Sequence, residues 1–278
     1  MLKLIVSSIL CLSFWYQQKQ SVNKNVSHQA QQTVKVAAIA LATVDGMMDA
    51  NYQRALRLTE IAAQEHPDII LLPEAFAAGY AANDLTPFGE TLESSKYLNE
   101  FRQRSSKYGC MIIVGYLQKI SAGLHNSAVI FDRGKVVGSH NKSTLWPDKK
   151  RAYRDEQHLI VPGKGMEVIQ TRFGKVGLLI CYENMIGKNW DLLKGKVDLV
   201  ISPYNCEDDP SRHNIAGSKK INVPSVWADR VGTVYCGNDN YTSNPGTAGI
   251  VDQNGKVLYK SRIGEEKIIV GNIVVKQR

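Results

Sequence analysis

Three residues of this 278-residue chain stand where chemistry could be done: Glu74, Lys142 and Cys181. Glu74 comes directly after Leu71-Leu72-Pro73, where an apolar run meets a proline that ends a strand ladder. A carboxylate just past a buried strand lies where burial can raise its pKa, which suits a general base. Lys142 lies just beyond a hairpin strand, in Ser139-His140-Asn141-Lys142-Ser143-Thr144, and close to Trp146-Pro147. An ammonium held among carboxylates and aromatics can steady a developing oxyanion. Cys181 ends the run Gly177-Leu178-Leu179-Ile180. A sharp strand-to-loop turn there can present a nucleophile, and the Tyr182 N–H can donate to the oxyanion that its attack creates. Taken singly, each also reads as ordinary structure: a cap or surface carboxylate, a solvated lysine, an inert buried thiol. Taken together they could supply a base, an electrophilic stabiliser and a nucleophile.

The elements that must position them are legible from periodicity. Val34 to Leu41 is a strand candidate, and Asn51 to Gln64 carries an apolar helical face of Ala55, Leu56, Leu58, Ile61 and Ala62. Asp68 to Leu72 is a short apolar run of the kind buried on both faces of a sheet. Leu92 to Lys107 reads as a helix and Met111 to Tyr116 as a strand. Asn126 to Asp132 and Lys135 to His140 flank Arg133-Gly134, a hairpin turn. Val176 to Ile180 and Val197 to Ile201 are again buried strands. Val231 to Cys236, Thr247 to Asp252, Lys256 to Tyr259 and Ile268 to Val275 follow, with Gln253-Asn254-Gly255 as a tight turn. Strands dominate, hairpins mix with longer crossovers, and helices sit between some of them. That pattern predicts an α/β fold, a four-layer α-β-β-α sandwich of two mixed sheets with outer helices.

Composition bounds the rest. Hydrophobic residues make up 44% and charged residues 22%, ordinary for a globular chain. The formal charge is +8, but residues 1–33 hold Lys3, Lys19 and Lys24 and no acid, so the remainder carries 31 basic and 26 acidic residues. No run of basic residues interleaved with aromatics marks a nucleic-acid surface. Five cysteines, Cys11, Cys110, Cys181, Cys206 and Cys236, are widely spaced and form no CxxC pair, so neither a zinc site nor a disulfide framework is indicated. Cys110 and Cys236 read as small buried residues inside strands. Residues 1–33 form a leader: Lys3, then an apolar stretch from Leu4 to Tyr16, then a tract rich in Gln, Asn and Ser. It reads as a signal peptide with a poor cleavage site, which implies export, or as a disordered extension or misplaced start, which leaves the protein cytoplasmic. The apolar stretch is too short for a stable membrane span. Residues 34–278 read as one domain.

The order Leu-Pro-Glu, then Lys in a hydrophilic turn, then Ile-Cys-Tyr-Glu resembles the nitrilase superfamily of carbon–nitrogen hydrolases. In this chain Lys142 lies 68 positions after Glu74, and Cys181 lies 39 positions after Lys142. The resemblance runs from Val34 to about Val275. It includes the hairpin Asn126 to Asp132 with Gly134 to Gly138, the segment Ala228-Asp229-Arg230-Val231-Gly232, and the strand and turn from Gly246 to Gly255. Glu156, six residues before Pro162-Gly163, stands where many members keep a second glutamate. Thr144, Glu183 and Asp229 depart from the usual His, Asp and Asn.

The resemblance implies a catalytic triad of Glu74, Lys142 and Cys181, supported by Glu156 and Tyr182, with no metal and no organic cofactor. It implies hydrolysis of a small linear amide or N-carbamoyl compound, with a nitrilase reaction or transfer of the acyl group to an amine as alternatives within the fold. A non-catalytic binding protein on the same fold is the alternative of another class. Papain-type chemistry needs a His base; His158 and His213 are available, but neither sits in a recognisable setting, which disfavours it. Asn205, Cys206 and Glu207 belong to a loop that should border the substrate. Its acidic run Glu207-Asp208-Asp209 could hold a cationic tail, or could be a solvated loop in which Asp209 or Ser211 starts a helix. The resemblance also implies a homodimer or larger homo-oligomer.

Overall fold

The computed structural model describes residues 31–80, 84–148, 150, 155–235 and 241–277. The leader's first 30 residues and Cys236 lie outside them. Their strands, in chain order, begin with β1 (Gln31–Val44), β2 (Ile69–Leu71), β3 (Met111–Ile120), β4 (Gly123–Asp132) and β5 (Lys135–Asn141). Next come β6 (Val168–Thr171), β7 (Gly174–Leu178), β8 (Leu199–Tyr204) and β9 (Ser225–Tyr235). The last are β10 (Tyr241–Pro245), β11 (Ala248–Val251), β12 (Val257–Lys260) and β13 (Lys267–Lys276). They join into one large mixed sheet whose main path runs β5-β4-β3-β2-β1-β9-β8-β7-β6.

β1 belongs to both halves of that path. Val36–Ala38 pair in parallel with β2, and Gln31–Ala40 pair antiparallel with β13. Its last four residues, Leu41–Val44, then pair in parallel with Arg230–Thr233 of β9. Side chains alternate across a strand, so each strand serves two apolar clusters. Ala37, Ile39, Ile70, Leu72, Ile112 and Val114 face α1 (Met48–Ala63) and α2 (Lys96–Tyr108). Their sequence neighbours Val36, Ala38, Ile69, Leu71 and Ile113 pack instead with Val176, Leu178, Leu199, Ile201 and Val226 from the other half. On the far side of β7 and β8, Leu179 and Val200 pack with Trp190, Leu193 and Ile221. These come from α5 (Gly187–Leu193) and α6 (Ser211–Ile221). Two shorter helices, α3 (Glu156–Leu159) and α4 (Tyr182–Met185), lie at the site described below.

Most expected elements are present, with shifted ends. α2 starts at Lys96 rather than Leu92, because Ser95 caps it, its hydroxyl accepting from the Leu98 N–H at 3.1 Å. It ends at Gly109, whose φ of 64° is a left-handed cap. Cys110 is buried one residue before β3 rather than within it. β1 starts at Gln31, so the last three leader residues are strand. β9 begins at Ser225, six residues earlier than expected, because Ser225–Ala228 pair with both β8 and β11. β6, β10, α3, α4 and α5 went unread: each has seven residues or fewer, too short for a repeating apolar face to stand out.

One glycine couples the sheet to the chemistry. A Cβ on Gly115, in β3, would lie 2.3 Å from the Pro73 carbonyl oxygen and 2.8 Å from the Glu74 Cα. Gly115 therefore lets β3 pass directly beneath the turn that carries Glu74. Gly115→Ala must push that turn away, an overpacking cost of about 1–3 kcal/mol. The expected outcome is a lower urea midpoint together with a loss of activity larger than the stability change alone explains; unchanged values for both would show that the turn is not held by this contact.

Candidate active site

Each of the three sequence-predicted residues sits where a strand gives way to a turn. After β2 the chain crosses toward the other half of the sheet: the Glu74 N–H donates to the Tyr204 carbonyl at 3.2 Å. Ala75 follows with φ of 39°, a rare conformation for a residue with a Cβ. Lys142 comes one residue after β5, and its N–H donates to the Asn126 carbonyl at 2.8 Å. Cys181 has φ of 47° and ψ of −104° at the start of α4, and its N–H donates to the Pro203 carbonyl at 2.9 Å. Such backbone strain persists only where the surroundings impose it.

The structure brings Glu74, Lys142 and Glu156 into direct contact. The Lys142 ammonium lies 2.7 Å from Glu74 Oε1 and 2.8 Å from Glu156 Oε2, and all three side chains are at most 2% exposed. Asn126 Nδ2 donates to Glu74 Oε1 at 2.6 Å and to Glu156 Oε1 at 3.0 Å. The Tyr80 hydroxyl donates to Glu156 Oε1, and the Trp146 N–H to Glu156 Oε2 at 2.7 Å. Glu74 Oε2 is buried with no hydrogen-bond partner among the described residues. Burial pushes the Glu74 carboxyl above its ordinary value; Lys142 pulls it down and Glu156 pushes it up again. Burial works against the Lys142 ammonium, but Glu156 and Glu74 outweigh it and keep the group charged.

Cys181 shares one cavity of about 160 Å³ with these groups. The cavity walls include Tyr80, Trp146, Tyr182 and Met185. Trp146 and Tyr182 meet edge to face, with centroids 4.9 Å apart. The nearby Cys206 thiol lowers that of Cys181, but burial and the Glu74 carboxylate raise it further than Cys206 and Lys142 lower it, so it lies above its ordinary value. As the first residue of α4, Tyr182 has an N–H with no acceptor inside the helix.

Asn205, Cys206 and Glu207 also line this cavity, as does Asp208. Asp209 does not. It accepts from the Ser211 N–H at 3.1 Å and from Thr247 at 3.0 Å, and it pairs with Lys260. The expected helix starts there, as α6 at Ser211. His158 is mostly exposed, and neither it nor His213 lines the cavity. Among the described residues no group of three or more His, Cys, Asp or Glu side chains could hold a metal ion, and no helix is long and apolar enough to cross a membrane.

Sequence reasoning missed the roles of Asn126, Tyr80 and Glu183. Asn126 and Tyr80 carried no signal beyond lying in or near apolar segments. Glu183, seen only as a departure after Cys-Tyr, ties the two halves of the site together. Its Oε2 accepts from the Ile180 N–H at 2.9 Å and lies 2.8 Å from His140 Nε2. Its Oε1 accepts from the Ser143 N–H at 2.7 Å and the Ser143 hydroxyl at 2.9 Å. One buried carboxylate thus clamps the cysteine turn to the lysine turn. Burial alone would raise its pKa, but the bonds from His140, Ser143 and Ile180 win and hold it below the ordinary carboxylate range.

Glu183→Gln leaves a donor facing donors in a buried network, and the expected cost is roughly 3–5 kcal/mol in urea unfolding. Because the folded pKa lies below the unfolded one, the wild-type carboxylate stabilises the fold at and above the ordinary carboxylate value. That contribution is lost as pH falls through the depressed folded value. The variant should lack this segment of the acid-stability curve; a curve parallel to wild type would show that Glu183 is not the clamp.

Comparisons with known proteins identify the family. The carbon-nitrogen hydrolase family profile matches residues 35–277. A glutamine-dependent NAD(+) synthetase from Thermotoga maritima is 25% identical over 246 residues, covering 85% of this chain and 41% of that protein. The chain thus spans under half the length of that relative. An omega-amidase, NIT3, from Saccharomyces cerevisiae is 25% identical over 258 residues, covering 85% of this chain and 86% of that one. The crystal structure of a carbon-nitrogen hydrolase from Helicobacter pylori G27 superposes with a TM-score of 0.76 at 21% identity, covering 87% and 89% of the two chains. With a family match that spans nearly its whole length, the chain belongs to the carbon–nitrogen hydrolases of the nitrilase superfamily.

Proposed function

We propose that this protein is a thiol amidase that cleaves a small linear amide or N-carbamoyl compound through a cysteine acyl-enzyme. The observation that carries the reading is the buried Glu74–Lys142–Glu156 cluster opening on the same small cavity as a strained Cys181. The two halves of the sheet are read as the inner layers of a four-layer α-β-β-α sandwich, supported by the apolar cluster between them. In that arrangement the site opens at the carboxyl ends of β2, β7 and β8.

The residues take these roles. Glu74, raised by burial, takes the Cys181 proton on its unpartnered Oε2, and the thiolate attacks the carbonyl carbon. Lys142 and the Tyr182 N–H stabilise the oxyanion. Glu74 returns the proton to the leaving nitrogen, and ammonia or an amine departs. Water, deprotonated by Glu74, then releases the acid. Glu156 holds Lys142 so that its charge points between Glu74 and the reacting carbon. Asn205, Cys206 and Glu207 border the acyl group. The names of two relatives, a glutamine-dependent synthetase and an omega-amidase, favour a terminal carboxamide on a small acid as the first substrate to try.

Full-length protein should release ammonia from a panel of linear carboxamides, N-carbamoyl amines, N-carbamoyl amino acids and nitriles. Cys181→Ala should lower that release by at least about a thousandfold. Release that survives the substitution would rule out the thiol mechanism, and release from nitriles alone would favour a nitrilase. Glu74 must be ionised to act as base, so kcat/KM should fall as pH drops through its folded pKa. That midpoint should lie above the ordinary carboxylate range. A profile that stays flat down into that range would exclude Glu74 as the base.

A further inference from the structure

We propose that Cys181 and Cys206 form a reversible dithiol–disulfide couple, a modification site through which a hydroperoxide switches the nucleophile off and protects it from irreversible oxidation. Cys206 stands two residues past β8, and Cys181 three past β7. The bond from the Cys181 N–H to the Pro203 carbonyl, at 2.9 Å, holds these two strand ends side by side. Both side chains line the same cavity, both are 7% exposed, and both are free thiols. The two thiols are near enough that each shifts the other's proton affinity.

The second sulfur occupies a built position. Its thiol donates to the Asp208 carbonyl at 2.9 Å and lies 3.3 Å from Asp229 Oδ2, while Asp229 Oδ1 accepts from the Cys206 N–H at 3.2 Å. Asp229 is fully buried, and burial pushes its carboxyl well above the ordinary range. Cys181, burial and Asp229 hold the Cys206 thiol well above its ordinary value, so Cys206 keeps its proton until the departing hydroxyl takes it. Among the described residues the remaining cysteine, Cys110, belongs to the cluster facing α1 and α2 and does not line the cavity.

The chemistry balances with one oxidant. The Cys181 thiolate, its proton lost to Glu74, attacks the terminal oxygen of a hydroperoxide. The O–O bond breaks, the alkoxide leaves as an alcohol with that proton, and Cys181 becomes a sulfenic acid. The Cys206 sulfur then attacks the Cys181 sulfur. The S–O bond breaks, the Cys206 proton leaves with the hydroxyl as water, and the S–S bond forms. Two thiols have lost two electrons, and the hydroperoxide has been reduced to an alcohol and water. In the disulfide no thiolate is left to attack an amide. Without Cys206 the sulfenic acid would meet further peroxide and pass to the irreversible sulfinic acid.

The test reads mass, so it stands whatever amide the enzyme cleaves. Reduced full-length protein is exposed to hydrogen peroxide, remaining thiols are alkylated, and tryptic peptides are mapped without reductant. Cleavage at Lys188, Lys194 or Lys196 puts the two cysteines on different peptides. The expected product is a Cys181–Cys206 cross-linked pair, short by two hydrogens and separated by dithiothreitol. In Cys206→Ser, Cys181 should instead gain two oxygens that dithiothreitol does not remove. Wild-type Cys181 found as sulfinic acid beside an alkylated Cys206, or bridged to a different cysteine, would overturn the proposal. So would a Cys206→Ser protein whose Cys181 is recovered by dithiothreitol as fully as in wild type.

Discussion

A lysine ammonium withdrawn from water must be met by negative charge, and two carboxylates meet the one on Lys142. The attraction at 2.7 and 2.8 Å offsets a desolvation cost of several kcal/mol per ion only if the remaining lone pairs are also satisfied. Asn126, Tyr80 and the Trp146 N–H do most of that work. Two carboxylates against one ammonium leave an excess of one negative charge in a dry space. Burial therefore lifts Glu74, and the cluster holds a group that can take up a proton and give it back. The feature that makes the cluster costly to bury is also what fits it for the role of base proposed above.

The position of Cys181 follows from the same economy of polar groups. Its backbone is held in a rarely populated conformation by bonds from both sides: its own N–H to Pro203, and the preceding N–H of Ile180 to Glu183. Glu183 in turn holds Ser143, next to Lys142 in the chain. A displacement of either turn is therefore felt by the other. Parallel strands β2, β7 and β8 all end on this side, and the loops leaving them diverge to form the cavity, as open α/β sheets do at the carboxyl ends of their strands.

The proposed reaction machinery and the proposed substrate boundary come from different parts of the chain. Glu74, Lys142, Glu156 and Cys181 are locked by buried bonds. Glu207 and Asp208 sit on the exposed side of the cavity. Relatives at about 25% identity include a glutamine-dependent synthetase and an omega-amidase, so one fold carries different overall activities. Such a division lets the mouth of the site vary while the charge cluster stays balanced.

Local pattern was enough to read most of the strands and the ordered series Glu74, Lys142, Cys181. β2 was legible because Ile69–Leu71 is wholly apolar and bounded by Asp68 and Pro73; Gly134 marked the β4–β5 hairpin in the same way. Short-range chemistry also accounts for the start of α6, where Asp209 bonds residues two positions away. The polar clamp was not legible. Asn126 meets Glu74 across 52 positions, Tyr80 meets Glu156 across 76, and Glu183 meets His140 across 43. Nothing in a period of two or 3.6 says which asparagine, tyrosine or glutamate turns inward. That choice, like the meeting of Cys181 with Cys206, was made by strand order and register, because only packing the sheet brings the ends of separate strands within reach of one another.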